Sequence, residues 1–166
     1  RSYEYYNFYD SLIADHNVVL FDYMSMLKTH GKAQMNTLLV KTAQEGNFDV
    51  AIFSLYTDQL DAMAVDHVRQ HTRTLCFFHD DTWRRDFVRE WAPHFDFFTS
   101  SNYDCVTHYQ KLGLPHVIHF PFGANERLYC PNLNPKLYDV SFVGGWNPTR
   151  EWLIKRLRRA GIDVTV

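Results

Sequence analysis

Hydrophobic and polar positions along this chain follow two rhythms that take turns. Residues 18–21, Val-Val-Leu-Phe, form a continuous apolar run of the kind expected of a strand covered on both faces. Further strands are predicted over residues 49–53, 72–78, 95–99 and 117–120. Between these stretches the apolar residues fall three and four apart, the spacing of one helix face. Ser2 is placed to cap a helix running to about residue 14, with Tyr5, Phe8, Tyr9 and Leu12 on one side. Helices follow over residues 33–45, ended by Gly46, and over 58–70, through Leu60, Met63, Ala64, His67 and Val68. Residues 83–91 form another, stopped by Pro93. The last of this set covers 102–112, with Ser101 as cap and Gly113 where a left-handed closing residue belongs.

Strands alternating with helices imply a parallel sheet with helices on both faces, a Rossmann-like α/β fold. The alternation breaks over residues 121–137, where Pro121, Gly123, Pro131, Asn132, Asn134 and Pro135 give the composition of an interdomain linker. It then resumes with a strand at 138–143, a glycine turn, a helix at 148–160 and a strand at 162–166. The expected organisation is an α/β domain over residues 1–120, a linker over 121–137, and the first βαβ unit of a second Rossmann-like domain over 138–166. The chain opens on a helix with no strand before it and closes on a strand with an unpaired edge. Both ends are therefore expected to be cut from something longer, with the first strand of the first domain missing.

Composition narrows the class. Of 166 residues, 46% are apolar and 22% charged, enough to bury a core. Thirteen Phe, ten Tyr and four Trp favour packed strands over disorder. A net charge of −2 gives no electrostatic case for nucleic-acid binding. No apolar run reaches the roughly 20 residues of a membrane-spanning helix, and no secretory leader pattern opens the chain. Cys76, Cys105 and Cys130 are an odd set without CxxC spacing, which reads as reduced thiols and predicts a cytoplasmic location.

Ligands of open α/β sheets bind beyond the carboxyl ends of the strands, so the segments that follow each strand are the candidate sites. After the strand at 138–143, Gly144-Gly145 makes a turn open to close approach. Asn147-Pro148 is a cap followed by proline at the first helical position. Arg150 in that first turn opposes the helix dipole, which makes sense if it clamps an anion there; the other reading is a solvated arginine. After the strand at 72–78 come His79, Asp80 and Asp81, able to act as general base, to bind hydroxyl groups or to hold a metal. The competing reading makes Asp81 the cap of the next helix. Ser100, within Thr99-Ser100-Ser101-Asn102, can donate to a ligand, while Ser101 reads equally well as a cap. Asn125 and Glu126 leave the last strand of the first domain and are placed to touch substrate at a cleft, or to serve only as hinge residues. Lys155, Arg156, Arg158 and Arg159 read as the solvated face of the last helix.

Read in order, Phe78-His79-Asp80-Asp81, Phe98-Thr99-Ser100, Tyr109-Gln110-Lys111-Leu112-Gly113, Pro121-Phe122-Gly123-Ala124-Asn125 and Tyr138-Asp139-Val140-Ser141-Phe142-Val143-Gly144, followed by Arg150, form a recognisable series. The series resembles the spore-maturation (CgeB-like) glycosyltransferases of the GT-B fold. The match is best over residues 72–166, fair over 2–22, and poor over 23–71, where only helix and strand periodicity shows. The resemblance implies two Rossmann-like domains, the first for the acceptor and the second for a nucleotide-sugar donor, a co-substrate rather than a cofactor. It implies Gly144, Gly145 and Arg150 near the donor diphosphate. From their places after the strands, His79 or one of Asp80 and Asp81 is expected to serve as catalytic base or acceptor contact, and Ser100, Asn125 and Glu126 as substrate contacts. It implies no bound metal, and donor-gripping carboxylates later in the second domain, so this stretch alone is expected to be inactive. The acceptor is a glycan, a protein or a small molecule. The alternatives are a non-enzymatic α/β ligand-binding or regulatory module, and a metal-dependent hydrolase using His79, Asp80 and Asp81.

Overall fold

The computed structural model of the chain describes residues 2–131 and 134–166. Arg1, and Asn132 and Leu133 within the predicted linker, lie outside the described residues. The chain divides into two units, the first running to Leu128 and the second spanning Tyr129–Val166.

Four strands carry the first unit: β1 (Val50–Leu55), β2 (Arg73–Phe78), β3 (Phe97–Ser100) and β4 (Val117–His119). They pair in parallel and in chain order, β1-β2-β3-β4, with Phe53 opposite Cys76, Cys76 opposite Phe98 and Phe98 opposite Val117. Ahead of the sheet the chain winds as a π-helix over Tyr5–Tyr9 and continues into α1 (Asp10–Leu12). Next come α2 (Tyr23–Gly46) and, between successive strands, α3 (Ala62–Arg69), α4 (Arg85–Trp91) and α5 (Tyr103–Lys111). The topology is α/β and Rossmann-like. No helix among the described residues is long and apolar enough to cross a membrane.

Helices α2–α5 all pack on one face of the sheet, which leaves the other to the N-terminal helix. Met35 and Leu39 of α2, Val65 and Val68 of α3, Val88 and Trp91 of α4, and Cys105 and Tyr109 of α5 join a single core with Phe53, Leu55, Cys76, Phe78 and Phe98. The alternate strand residues Val50, Ile52, Phe97 and Ile118 stay exposed. Strands in sequential order explain this, since right-handed crossovers between neighbours all return on the same side. On the other face, among the described residues, the N-terminal helix makes a cover: the Phe8 ring meets Phe77 at 4.8 Å and stacks on Phe120 at 6.5 Å.

Three local expectations are corrected. Residues 18–21 are not a strand; they pair with no strand among the described residues, and Val19 and Leu20 are exposed. Helix α2 starts ten residues earlier than predicted, since Asp22 accepts from the Ser25 amide at 3.0 Å as its cap. The helical path breaks at Gly31, whose φ of 77° only glycine adopts without strain, and this break hides the first half of α2 from a periodicity reading. The cap of α5 is Asn102, which accepts from the Asp104 amide at 2.8 Å, not Ser101. Gly113, at φ 80°, does follow α5 in the left-handed conformation expected of it.

The second unit is one βαβ turn. β5 (Val140–Ser141) pairs in parallel with β6 (Val164–Thr165), joined by α6 (Pro148–Arg159). Both strands are shorter than predicted, although Phe142 N–H still donates to Thr165 O at 2.8 Å. Val164 is buried, while α6 buries no residue.

Candidate functional site

Two places in the fold gather the chemistry, one in each unit. In the first, His79 leaves β2 at its carboxyl end beside the carboxyl end of β1. Its Nε2 lies 2.9 Å from Ser54 Oγ and 3.1 Å from Glu4 Oε1. Ser54 Oγ also donates to Glu4 Oε1 at 3.4 Å. Burial pulls the Glu4 carboxyl upward. Hydrogen bonds from Ser2, from its own amide and from Ser54, with the charge of the His79 ring, outweigh that and hold it below its ordinary value. The imidazole is walled by aromatic rings: Phe77 edge-on at 4.7 Å, Tyr3 edge-on at 6.0 Å and Phe122 inclined at 6.3 Å.

Asp80 and Asp81, adjacent in sequence, do not join this cluster. Asp80 is exposed and turns the chain at φ 56°, in the left-handed region that Asp tolerates better than most residues. Its carbonyl accepts from the Trp83 and Arg84 amides, both at 3.2 Å. Asp81 is fully buried and caps no helix; α4 begins only at Arg85, with Arg84 as the flanking residue. Asp81 Oδ2 instead accepts from Ser100 Oγ at 2.5 Å, and its Oδ1 has no hydrogen-bond partner among the described residues. The Tyr109 hydroxyl donates to the Asp81 carbonyl at 3.3 Å. Burial first, and then the charge of Asp81, raise the Tyr109 phenol and the Cys105 thiol, so both stay protonated.

Ser100 therefore serves Asp81 from a fully buried position, while it also accepts from the Asn102 amide at 3.2 Å. Asn125 is buried. Its amide donates to Tyr6 O and Asp10 Oδ2, both at 2.8 Å, and its carbonyl oxygen accepts from Arg127 N–H at 3.1 Å. The Arg127 guanidinium meets Asp10 O, and the Tyr3 hydroxyl donates to Gly123 O at 3.1 Å. Asn125 thus fastens the N-terminal helix to the chain leaving β4. Glu126 remains exposed. Among the described residues no group of three or more His, Cys, Asp and Glu side chains is arranged to hold a metal ion.

The second place is the turn between β5 and α6. Asn147 caps α6, its Oδ1 accepting from the Arg150 amide at 2.9 Å, with Pro148 in the first turn. The Arg150 side chain folds back over the turn: Nη1 donates to Gly145 O at 2.6 Å, and the guanidinium lies 5.6 Å from the Phe142 ring centroid. Neither Gly144 nor Gly145 has a positive φ, so glycine is not needed here for its backbone. At Gly144 a side chain would crowd its neighbours. A Cβ there meets the Phe142 ring at 3.0 Å and Arg150 Nη1 at 3.3 Å. The geometry gathers a guanidinium, a glycine turn and the amides of a helix N-terminus, the elements of an anion site.

Glu4, Ser54, Tyr3 and Phe122 escape a reading of the sequence, because no spacing rule links them to His79. No protein-family model, no curated protein and no solved structure matches this chain.

Proposed function

We propose that the chain is part of a nucleotide-sugar-dependent glycosyltransferase of the GT-B class, acting in the cytoplasm, with its second unit receiving the donor diphosphate. The observation that carries this reading is the position of Arg150. Its guanidinium is held on the glycine turn by Gly145 O and the Phe142 face, beside the first turn of α6. The fixed fork is one that suits two phosphate oxygens at once. His79 in the first unit supplies the acid–base group, and the resemblance in the ordered motifs supplies the reaction class.

The test is calorimetric titration of the full-length enzyme with UDP, GDP and their sugar conjugates. Arg150→Ala is expected to weaken binding ten- to a hundredfold, in line with charge-assisted bonds of about 1.5–3 kcal/mol. Arg150→Lys should recover only part of the loss, because a point charge cannot reproduce the fork. Binding of no nucleotide diphosphate by the wild type, or equal binding by Arg150→Ala, rejects the donor site.

A further inference from the structure

Charge is divided unevenly between the two units. Six of the seventeen Lys and Arg residues, but only three of the nineteen Asp and Glu, fall in Tyr129–Val166, so a net charge of −2 conceals a basic second unit. Helix α6 carries most of that excess and sorts it by face. Half-buried Ile154 and Leu157 mark the side toward β5 and β6, and Arg158 joins them, its guanidinium donating to Val164 O at 2.5 Å. Trp152, Lys155, Arg156 and Arg159 follow at intervals of three, four and seven, which sets them in one stripe on the opposite side. All four are exposed. The Arg156 guanidinium lies 5.5 Å from the Trp152 ring centroid. Lys155 meets Glu151 at 2.5 Å, which balances its charge. Among the described residues neither Arg156 nor Arg159 meets a carboxylate. Glu151 also accepts from Trp146 Nε1 at 3.2 Å, so a second exposed indole borders the stripe. Leu153, exposed as well and three positions from Arg156, borders it on the other flank.

We propose that this stripe of α6 rests on an anionic membrane surface, with the helix lying along the plane of the headgroups. Indole rings favour that interface, where the ring meets hydrocarbon and its N–H stays wet. Arg156 and Arg159 bring unbalanced guanidinium forks to lipid phosphate and carboxylate groups. Near such a surface each cation strengthens binding about fivefold. A helix face built only for water would not carry two indoles among its charges. Single-stranded nucleic acid also stacks on rings set between cations. Leu153 offers nothing to a base, however, and can enter the acyl boundary of a membrane. Arg150 lies four positions before Ile154 and belongs to the strand side. The stripe is therefore separate from the turn that Arg150 occupies, and it does not depend on the transferase reading.

Cosedimentation of the full-length protein with vesicles of equal parts phosphatidylcholine and phosphatidylserine tests the surface. The wild type should bind these at low salt, bind phosphatidylcholine vesicles far less, and dissociate as salt is raised. Arg159→Gln should lower the partition about fivefold, and Arg156→Gln with Arg159→Gln about thirtyfold. Trp152→Ala should lower it about tenfold. Lys28→Gln, which removes one exposed charge from α2 of the first unit, should leave it unchanged. These side chains are all exposed, so circular dichroism should show the fold retained in each variant. No binding to the anionic vesicles, equal binding to both kinds, or unchanged binding in the double variant or in Trp152→Ala overturns the proposal. An equal loss in Lys28→Gln and Arg159→Gln overturns it too, because net charge alone would then account for the binding. A single-stranded oligonucleotide is titrated in parallel. Tighter binding to it than to the vesicles, lost in the same variants, overturns the proposal in favour of a nucleic-acid surface.

Discussion

Glu4, Ser54, His79 and Phe122 come from four distant segments of the chain and meet around one imidazole. Phe142, Gly144, Gly145 and Arg150 are near neighbours in sequence and meet around one guanidinium. The first cluster exists only because β1 and β2 lie side by side and the N-terminal helix is fastened across their ends. The second needs only a strand, a turn and a capped helix in succession. The difference extends to burial. The first unit closes a core in which Phe78, Phe98 and Tyr109 are almost wholly hidden, whereas α6 of the second buries nothing. A site assembled by long-range packing is tied to the stability of its sheet; a site assembled locally is tied to the shape of one loop.

Substitutions can sharpen or break that contrast. The largest expected effect is on the first unit. Phe78 is 1% exposed and meets the rings of Phe87, Phe95 and Phe98 edge-on. Phe78→Ala should cost about 3–5 kcal/mol in urea unfolding and disperse the His79 cluster with it. An unchanged His79 imidazole signal by NMR in a destabilised Phe78→Ala protein breaks the link between cluster and core.

A smaller effect on the same unit is set by pH. Burial raises the Asp96 carboxyl, but the Thr74 amide at 2.9 Å, the Arg69 guanidinium at 2.8 Å and the Thr74 hydroxyl at 3.1 Å outweigh it and leave Asp96 below its ordinary value. A depressed carboxyl contributes stability above its unfolded pKa, and that stability is lost as pH falls through the folded one. Asp96→Asn should therefore cost about 1.5 kcal/mol at neutral pH. The gap to the wild type should close with acidification below about pH 4. A gap that persists unchanged in acid would show that shape rather than charge ties β2 to the start of β3.

In the second unit, Gly144→Ala places a methyl group against Phe142 and Arg150. It should weaken nucleotide diphosphate binding by about 1 kcal/mol, roughly fivefold, while the unfolding of the first unit is unchanged. Equal affinity in Gly144→Ala would show that Arg150 does not need its place on the turn. Smallest of all, Trp152→Ala on α6, at a residue 58% exposed, should change stability by no more than about 0.5 kcal/mol. A larger loss by thermal unfolding would mean that α6 is not the lightly packed element it is here.

From β1 onward the order of helices and strands, the parallel α/β class, the glycine after α5 and the Asn147–Pro148 start of α6 were all legible in the sequence. Each depends on residues a few positions apart, and local backbone preference acts over that range. The extended run at 18–21 was misread because an apolar run states that a segment can be buried, not that a partner strand exists to pair with it. The packing of α2–α5 on one face of the sheet followed from strand order, which composition and periodicity do not encode. Asp81 could have been a cap by its position, and only the packing of β3 against β2 turned it toward Ser100. His79 was visible as a candidate, yet its partners Glu4 and Ser54 were not. Hydrogen bonding between groups so far apart along the chain is decided by the closed tertiary structure, since only there are they held within bonding distance and screened from water.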